Sequence, residues 1–386
     1  MSTARAGAGV WDADVVVVGT GAWGSMAAWR LAEDGVDVLA VDRWEAPHAH
    51  GSSWGSTRLF RRVCLEHPLL SGLADLSLDL YRELEDPTDP LVTLSGGLTI
   101  GHPGGRAVPA VRAAAERSGL PVETLDRDAL AERFPFHGDV APDEVGVLDP
   151  SSGALRIETA VARALEAAQK AGARTRSGVH VTAVVEIPGG YRVETTTGVL
   201  RAPRVVVAAG SWTRELLPAL PLRTTRMPMT WFAPRTGTGV PTDLERVGAF
   251  IREVGDGGGY WGHGALPGEG VKVGPRGAVA RRDDPLPDQL DRTFHPADGR
   301  PAADVVARWL PALHPDPTAG YVCHSTRTPD EQFLVGEVGD GRGLVVAAGE
   351  SGHGGKHSAG IGQLVADLVQ GRAPTLDTGY LDPRRF

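Results

Sequence analysis

Short runs of consecutive apolar residues, each followed by a glycine, occur at three places along the chain. They are residues 14–18 (DVVVV), 204–209 (RVVVAA) and 343–348 (GLVVAA). A short apolar run bounded by turn residues is typical of a strand that is buried in a parallel sheet. The first run is followed by a helical pattern over 22–34 and a strand pattern over 37–41, which together predict a βαβ unit.

The segments between these runs carry helical and alternating patterns. Helices are predicted over 69–85, 106–118, 156–171, 303–313 and 360–370, and strands over 91–100, 179–186 and 191–196. Gly and Pro interrupt alternating strands between residues 223 and 274. Residues 277–301 are rich in Asp, Arg and Pro, and we expect them to mix loop and short helix.

A glycine-rich turn joins the first strand to the first helix. Residues 19–24 (GTGAWG) form a GxGxxG motif, and Asp42 ends the next strand. The glycines permit a tight turn, let a pyrophosphate approach the backbone, and let helix and strand pack closely. The helix N-terminus offers N–H donors to phosphates, and Asp42 is placed to accept ribose hydroxyls. The motif alone does not separate NAD from FAD, but its N-terminal position and the later return strands favour FAD.

The spacing of the apolar runs predicts a discontinuous domain organisation. We expect an α/β protein with a glutathione-reductase-like, Rossmann-like FAD-binding domain and a substrate domain that contains a mixed, largely antiparallel β-sheet. The FAD-binding domain is assigned to residues 12–90, 150–220 and 320–386. The substrate domain is assigned to residues 91–149 and 221–319.

Composition narrows the functional classes. A net charge of −9 over 386 residues gives no broad basic surface for nucleic acid or an anionic membrane. No apolar run approaches the roughly 20 residues needed to span a bilayer, and residues 1–12 lack a signal-peptide pattern, so we expect a cytoplasmic protein. Cys64 and Cys323 are too few for a disulfide framework or a zinc cage, although a disulfide between them stays open. We expect no metal.

Lysine is rare in this chain. Of 39 basic residues only Lys170, Lys272 and Lys356 are lysines. A lysine that persists where arginine dominates is a candidate for a task that needs a compact ammonium group, although chance also explains so small a number.

Four motifs stand out along the chain: the GxGxxG unit, residues 50–61 (HGSSWGSTRLFR), residues 322–330 (VCHSTRTPD) and residues 349–356 (GESGHGGK). Together they resemble the monomeric sarcosine oxidase family, which includes N-methyltryptophan and pipecolate oxidases. The resemblance extends from residue 14 to about residue 371, and the last motif is the most specific. It implies a monomeric FAD-dependent oxidase that acts on a small amino acid and molecular oxygen.

The resemblance also implies which residues contact FAD. Cys323 matches the cysteine that forms a thioether to the flavin, although a lone cysteine is more often an inert core residue. The turn over 352–355 would offer N–H groups to the flavin's pyrimidine oxygen. The expected cofactor-binding residues are Gly19, Gly21, Ala22, Trp23, Gly24, Asp42, Arg43, Ser52, Thr57, Arg58, Thr182, Ala209, Gly210, Trp212, Cys323, Gly352, His353, Gly354, Gly355 and Lys356.

Four basic residues receive chemical roles from the resemblance. Lys272 would help reduced flavin react with oxygen, since a nearby cation stabilises the anion that develops, although a lysine in mid-strand could also face solvent. Arg58 would tune the electrostatics beside the flavin. Arg61 and Lys356 would clamp the substrate carboxylate and hold the carbon next to nitrogen over the flavin, although Arg61 beside Arg62 also suits surface charge. The implied reaction removes a hydride beside a neutral amine, gives an imine and peroxide, and needs no side-chain base.

The pocket positions depart from the sarcosine oxidase pattern. Ser53 and Trp54 replace a His-His pair, and Trp261 and Ser325 replace two tyrosines. Arg276 replaces a histidine, and Ile251 stands where methionine is frequent. We therefore expect an amino acid other than sarcosine, larger or cyclic, bound by Trp54, Trp261 and Ser325. Trp231 belongs either to this aromatic wall or to core packing.

Three alternatives remain at this stage. One is an FAD-dependent dehydrogenase that uses another acceptor, which Lys272 disfavours. Another is a tailoring oxidase acting on a biosynthetic intermediate. The last is a non-catalytic flavoprotein subunit, which the retention of Arg61, Lys272 and Lys356 disfavours.

Overall fold

A computed structural model describes residues 11–255, 257–276, 282–284, 286–339 and 342–386. This part of the chain divides into two compact units. The first unit comprises the chain up to Trp54, Glu158–Arg223 and the chain from Thr326 onward. The second unit comprises Gly55–Ile157 and Thr224–Ser325.

The helices and strands alternate irregularly along the chain. The helices are α1 (Ala22–Glu33), α2 (Leu70–Leu84), α3 (Ala107–Ser118), α4 (Arg127–Arg133), α5 (Ile157–Lys170), α6 (Thr213–Leu216), α7 (Leu244–Val247), α8 (Pro296–Trp309) and α9 (Ser358–Val369). The strands are β1 (Val15–Val18), β2 (Val38–Val41), β3 (Thr57–Phe60), β4 (Val92–Thr93), β5 (Gly97–Gly101), β6 (Glu123–Leu125), β7 (Val145–Asp149), β8 (Gly153–Arg156), β9 (Arg174–Arg176), β10 (Val181–Ile187), β11 (Gly190–Thr195), β12 (Gly198–Ala202), β13 (Arg204–Val207), β14 (Arg223–Pro234), β15 (Ala249–Val254), β16 (Gly258–His263), β17 (Val271–Pro275), β18 (Arg282–Asp284), β19 (Leu313–Arg327), β20 (Leu334–Glu337) and β21 (Leu344–Ala348).

The first unit is built on the predicted parallel strands. Among the described residues its main sheet has the order β20-β21-β13-β1-β2-β9. The edge strand β20 runs antiparallel to β21, and all other neighbouring strands are parallel. The three apolar runs become β1, β13 and β21, side by side at the centre, where Val15–Val18 is buried throughout. A separate antiparallel sheet of β10, β11 and β12 packs its apolar residues against this core. The predicted βαβ unit is confirmed.

The second unit holds a larger mixed sheet. Within the described residues its order is β18-β14-β17-β16-β15-β5-β7-β6, and β19 pairs with β14. The registered pairs are antiparallel except for β15 with β5, so the predicted mixed, largely antiparallel sheet is confirmed. A small sheet of β3, β8 and β4 completes this unit. Because β3 pairs with β8, residues 55–90 lie here, whereas the sequence analysis assigned them to the FAD-binding domain.

The two faces of the larger sheet differ in character, because neighbouring residues of a strand point to opposite faces. Val271 and Val273 of β17 join an apolar core with Phe232, Tyr260 and residues of α8. Lys272 and Gly274 lie on the other face. Residues that are directly paired on neighbouring strands point to the same face of a sheet. The strand register therefore places the partners of Lys272 and Gly274 on their face as well. We call this set the Lys272 face: Trp231, Ile251, Trp261, His263, Lys272 and Gly274.

Several elements differ from the prediction for physical reasons. The helix predicted over 303–313 is α8, which begins at Pro296 and contains Pro301. Its first turn is fixed by Asp298, which accepts the His295 N–H and forms a buried ion pair with Arg226. The strand predicted over 91–100 is interrupted at Gly96, whose φ of +88° bends the chain between β4 and β5. Part of the mixed segment predicted over 277–301 lies outside the described residues.

Candidate functional site

The glycine-rich turn of the first unit has the geometry that its sequence requires. Gly19 has a φ of +95°, and a Cβ there would lie 2.5 Å from the Ala208 carbonyl oxygen. A Cβ at Gly24 would lie 1.8 Å from the Gly19 carbonyl oxygen. At Gly21 a Cβ would meet only the Ser53 hydroxyl, at 3.3 Å. The turn therefore needs glycine at 19 and 24 for packing, whereas a side chain at 21 requires only a small shift of the Ser53 hydroxyl.

This difference gives a paired prediction for FAD binding. Gly24→Ala should lower both FAD content and the melting temperature of the apoprotein, because its methyl group overlaps the backbone of Gly19. Gly21→Ala should lower FAD content with little change in that melting temperature, because its methyl group would occupy space needed by the pyrophosphate. Flavin absorbance per protein and thermal melting measure the two effects. Full FAD content in Gly21→Ala would contradict the predicted phosphate position.

Asp42 at the end of β2 is held by several donors. Its carboxylate accepts hydrogen bonds from the Thr20 N–H at 2.7 Å and the Trp44 N–H at 2.9 Å, and His48 Nε2 lies 3.4 Å away. Burial raises the pKa of Asp42, but hydrogen bonds from His48, Thr20 and Trp44 outweigh burial and hold this pKa below its usual value. The side chain is therefore an anion at neutral pH.

The glycine-rich segment after β21 packs against the start of α1. Trp23 Nε1 donates to the Gly354 carbonyl at 3.1 Å, and a Cβ at Gly354 would lie 2.6 Å from the Trp23 ring. Two of the expected flavin donors are already engaged, because the Gly352 N–H donates to the Glu350 carboxylate and the His353 N–H to the Glu350 carbonyl. Lys356 is buried, with Nζ 3.4 Å from the His353 carbonyl.

Other expected FAD contacts of the first unit lie near β13 and β10. Ala209, Gly210 and Trp212 follow β13, and the Trp212 ring packs against Trp44 with centroids 5.1 Å apart. Thr182 is exposed, and its hydroxyl donates to the Glu194 carbonyl, since strand alternation buries Val181 in its place. Ser52, Trp54 and Arg43 are half-buried in this unit.

In the second unit, two basic side chains share one carbonyl oxygen. Lys272 is 1% exposed, and its Nζ donates to the carbonyls of Gly55 and Thr57, each at 2.8 Å. Arg58 Nη1 donates to the same Thr57 carbonyl at 2.6 Å. The Lys272 ammonium also lies 4.7 Å from the Trp231 ring centroid, within cation–π range. The alternative in which Lys272 faces solvent is therefore wrong.

His263 supports this arrangement, and sequence reasoning missed it. Its Nδ1 lies 2.8 Å from the Gly264 carbonyl and its Nε2 lies 2.7 Å from the Thr57 hydroxyl. Because a carbonyl can only accept, we assign the proton to Nδ1, and Nε2 accepts from Thr57. Burial, followed by the charge of Lys272, lowers the pKa of His263 to about 3. A neutral His263 therefore holds Thr57, whose carbonyl holds Lys272. Its pairing with Lys272 across β16 and β17 becomes visible only once the register is known.

Cys323 lies beside the same group. Its Sγ is 3.3 Å from Met229 Sδ, and both residues cluster with the buried Trp231. A Cβ at Gly55 would lie 3.2 Å from the Trp231 ring and 3.7 Å from Met229 Sδ. Gly55 therefore links Lys272 to the sulfur cluster. Cys64 is buried elsewhere in this unit, with Sγ 3.4 Å from the Arg61 carbonyl, and it is not bonded to Cys323.

Three of the expected substrate residues belong to the second unit: Arg61, Trp261 and Ser325. Trp261 packs on Gly274, where a Cβ would lie 2.4 Å from its indole ring. Ser325 is buried, and its carbonyl accepts from the Thr225 hydroxyl. Arg61 follows β3 and donates from Nη2 to Glu66 at 2.6 Å. It also lines a small cavity with Ile251 and other residues.

The structure therefore assembles the predicted residues as two groups, one in each unit. Gly19–Gly24, Asp42 and the turn that carries Lys356 belong to the first unit. Lys272, Arg58, Arg61 and Cys323 belong to the second. The clamp formed by Arg61 with Lys356 stays a prediction. No group of three or more His, Cys, Asp or Glu side chains in the described part of the chain is arranged to hold a metal ion.

The glycine turn and Asp42 suit a dinucleotide-dependent enzyme, and comparison with known proteins identifies its family. The chain belongs to the FAD dependent oxidoreductase family, whose pattern it matches over residues 14–368. The monomeric sarcosine oxidase of Streptomyces avermitilis is 33% identical over 378 residues, which cover 97% of each chain. The N-methyl-L-tryptophan oxidase of Escherichia coli O157:H7 is 29% identical over 379 residues, which cover 97% of this chain and 99% of that protein. The predicted fold class and enzyme class are confirmed.

A solved structure extends this similarity. NikD, described as an unusual amino acid oxidase essential for nikkomycin biosynthesis, superposes in its open form with a TM-score of 0.83 and 26% identity. The match covers 97% of this chain and 98% of NikD. None of the helices within the described ranges combines the length and the apolar character needed to cross a membrane.

Proposed function

We propose that this protein oxidises a secondary amino acid, N-substituted or cyclic, at the carbon next to nitrogen, with oxygen as electron acceptor. The observation that carries the proposal is the buried Lys272 ammonium, held with Arg58 on the Thr57 carbonyl beside Trp231. A buried cation at a fixed position stabilises an anion that forms next to it far better than a solvated cation does. Bound FAD would accept the hydride and pass its electrons to oxygen.

The first unit fits the dinucleotide part of FAD. The N-cap of α1 is Gly21, which has no side chain to cap the helix, so a pyrophosphate can approach the N–H groups of the first turn. Among the described residues, two side chains accept from the backbone of this turn: Asp42 takes the Thr20 N–H at 2.7 Å, and Ser53 takes the Ala22 N–H at 2.9 Å. Asp42 would receive the ribose. We assign this role to the first unit on these contacts.

Each of the expected catalytic and substrate-binding residues has a stated task. Lys272 and Arg58 supply positive charge, while His263 and Thr57 fix where that charge lies. Arg61 would orient the substrate through its carboxylate with Lys356, which leaves the carbon next to nitrogen as the reacting atom. Trp261, Trp54 and Ser325 would exclude water and set the shape of the pocket. No side-chain base is needed if the amine binds as the neutral form.

The class is tested with anaerobic and aerobic measurements on the purified holoenzyme. Sarcosine, L-proline, L-pipecolate and N-methyl-L-tryptophan are mixed anaerobically with the enzyme, and loss of flavin absorbance reports oxidation. Peroxide formation under air then separates an oxidase from a dehydrogenase. We expect bleaching and peroxide with a substrate other than sarcosine. If sarcosine is the best substrate, the altered pocket is wrong; if no secondary amine bleaches the flavin, the oxidase proposal is wrong.

We further propose that FAD is bound covalently through Cys323. Support comes from its buried Sγ beside Met229, within the cluster that also contains Trp231 near the Lys272 ammonium. After acid precipitation, flavin should remain in the pellet of the wild type and appear in the supernatant of Cys323→Ser. Cys64→Ser is the matched control and should retain flavin in the pellet. Release of flavin from the wild type would contradict covalent attachment. The expected monomeric state and cytoplasmic location stay predictions.

A further inference from the structure

Arg276 lies on the same side of the larger sheet as Lys272, which is proposed to activate oxygen. It directly follows β17, and positions 272, 274 and 276 alternate onto one face. The backbone N–H of Arg276 donates to the Gly259 carbonyl at 2.8 Å, which continues the pairing of β17 with β16. The Trp261 ring lies on Gly274, between Lys272 and Arg276 along the strand. Arg276 therefore extends the Lys272 face beyond the tryptophan.

Two guanidinium groups in this region have buried donor atoms without a hydrogen-bond partner among the described residues. They are Nη1 of Arg276, and Nε and Nη1 of Arg61, whose Nη2 is bound to Glu66. Buried donors are nearly always satisfied in folded proteins, and leaving a charged one unsatisfied costs free energy. An anionic ligand would satisfy these atoms.

Charged groups of both signs surround Arg276. Burial lowers the pKa of Arg276, and the charges of Arg61 and Arg106 add to this, while Glu253 and Glu66 oppose it. Both carboxylates are already engaged. Glu66 pairs with Arg61, and Glu253 accepts the N–H groups of Arg106 and Ala107 at 2.9 and 2.6 Å. Nη1 of Arg276 and Nε and Nη1 of Arg61 therefore have no carboxylate partner among the described residues.

A cavity connects Arg61 to the same face. Arg61 lines it together with Thr99, Asp149 and Ile251, and Ile251 is the register partner of Trp261. The Asp149 carboxylate is engaged by the hydroxyls of Ser151 and Ser152. The cavity, Trp261 and Arg276 therefore lie on one face of the sheet.

We propose that Arg276 is a substrate-binding residue that receives a second acidic group, so that the substrate is a dicarboxylic secondary amino acid. This rests on the proposed function, in which Arg61 and Lys356 hold the carboxylate next to the reacting carbon. A planar guanidinium binds a carboxylate through two parallel hydrogen bonds, which a histidine at this position could not form.

The test compares substrates of equal shape. The kcat/KM values are measured for N-methyl-L-glutamate and N-methyl-L-glutamine, which differ in charge at one terminal group. The wild type should prefer the glutamate derivative at least about 10-fold. Arg276→Gln should lower kcat/KM for that derivative roughly 10- to 100-fold and change the value for the glutamine derivative little. Arg62→Gln, a neighbouring half-buried arginine paired with Asp75, should leave the preference intact.

Two results would overturn the proposal: no preference in the wild type, or equal losses for both derivatives in Arg276→Gln. Arg276→Lys keeps the charge and should retain part of the preference, which guards against misfolding of the glutamine variant. Calorimetric titration with glutarate and its monoamide gives a readout that does not depend on oxidation. Tighter glutarate binding that is lost in Arg276→Gln would support the anion site even if no amine is oxidised. Oxidation without any preference for the acidic derivative would support the proposed oxidase function and contradict the proposed role of Arg276.

Discussion

Lys272→Met is expected to slow the reaction with oxygen about 100- to 1000-fold, equivalent to about 3–4 kcal/mol of lost transition-state stabilisation. Methionine keeps the length of the side chain but removes the ammonium that Gly55 and Thr57 hold in place. The rate of anaerobic flavin reduction by substrate should change much less, because molecular oxygen takes no part in that step. Stopped-flow measurement of the two half-reactions separates these effects.

Lys170 supplies the matched control for this experiment. It is exposed near the end of α5 and pairs with Glu166, so Lys170→Met changes the same functional group at the surface. We expect oxygen reactivity and flavin content to match those of the wild type. An unchanged oxygen rate in Lys272→Met would remove the main support for the oxidase and favour the dehydrogenase alternative.

Arg61→Gln should lower kcat/KM for amino acid substrates by about 100-fold or more, because truncating one partner of a desolvated charge pair costs roughly 2–5 kcal/mol. An amine without a carboxylate, such as N-methylbenzylamine, should lose little on the same substitution. The selective loss follows from Nε and Nη1 of Arg61, which are buried and make no hydrogen bond to the described residues.

Arg62 serves as a control that shows whether the loss of kcat/KM is specific to position 61 or follows from removing any positive charge nearby. It is adjacent in sequence but pairs with Asp75, and Arg62→Gln should leave both substrates unaffected. Arg61→Gln also removes the partner of Glu66, so thermal melting must accompany the kinetics. Equal losses for the amino acid and for the simple amine would contradict a carboxylate clamp.

Several secondary-structure elements of the first unit can be predicted from local sequence alone. Val15–Val18 and the glycines after it predict a strand, a turn and a helix without reference to distant residues, and the structure contains all three. The order of the strands is less accessible, because β13 and β21 come from distant parts of the chain and meet β1 only in three dimensions. Short apolar runs predict burial, but they do not state which run lies next to which.

The second unit shows where sequence reasoning ends. Motifs point to Arg58 and Cys323, and the family resemblance points to Lys272. Nothing local indicates that the Thr57 carbonyl accepts hydrogen bonds from both Lys272 and Arg58. His263 was missed because its partner is 206 positions away and its role depends on register. The position of α8 was misjudged because proline at 301 weakens a helical pattern that tertiary contacts of Asp298 restore.

The division of the larger sheet into two faces bears on how new specificities arise. Val271 and Val273, which hold the unit together, alternate on one strand with Lys272 and Gly274, which lie on the face of the proposed site. A substitution at an even-numbered position of β17 therefore leaves the core contacts of the odd-numbered positions in place. An insertion or deletion of one residue would exchange the two sets, so divergence along this strand should proceed by replacement at constant length.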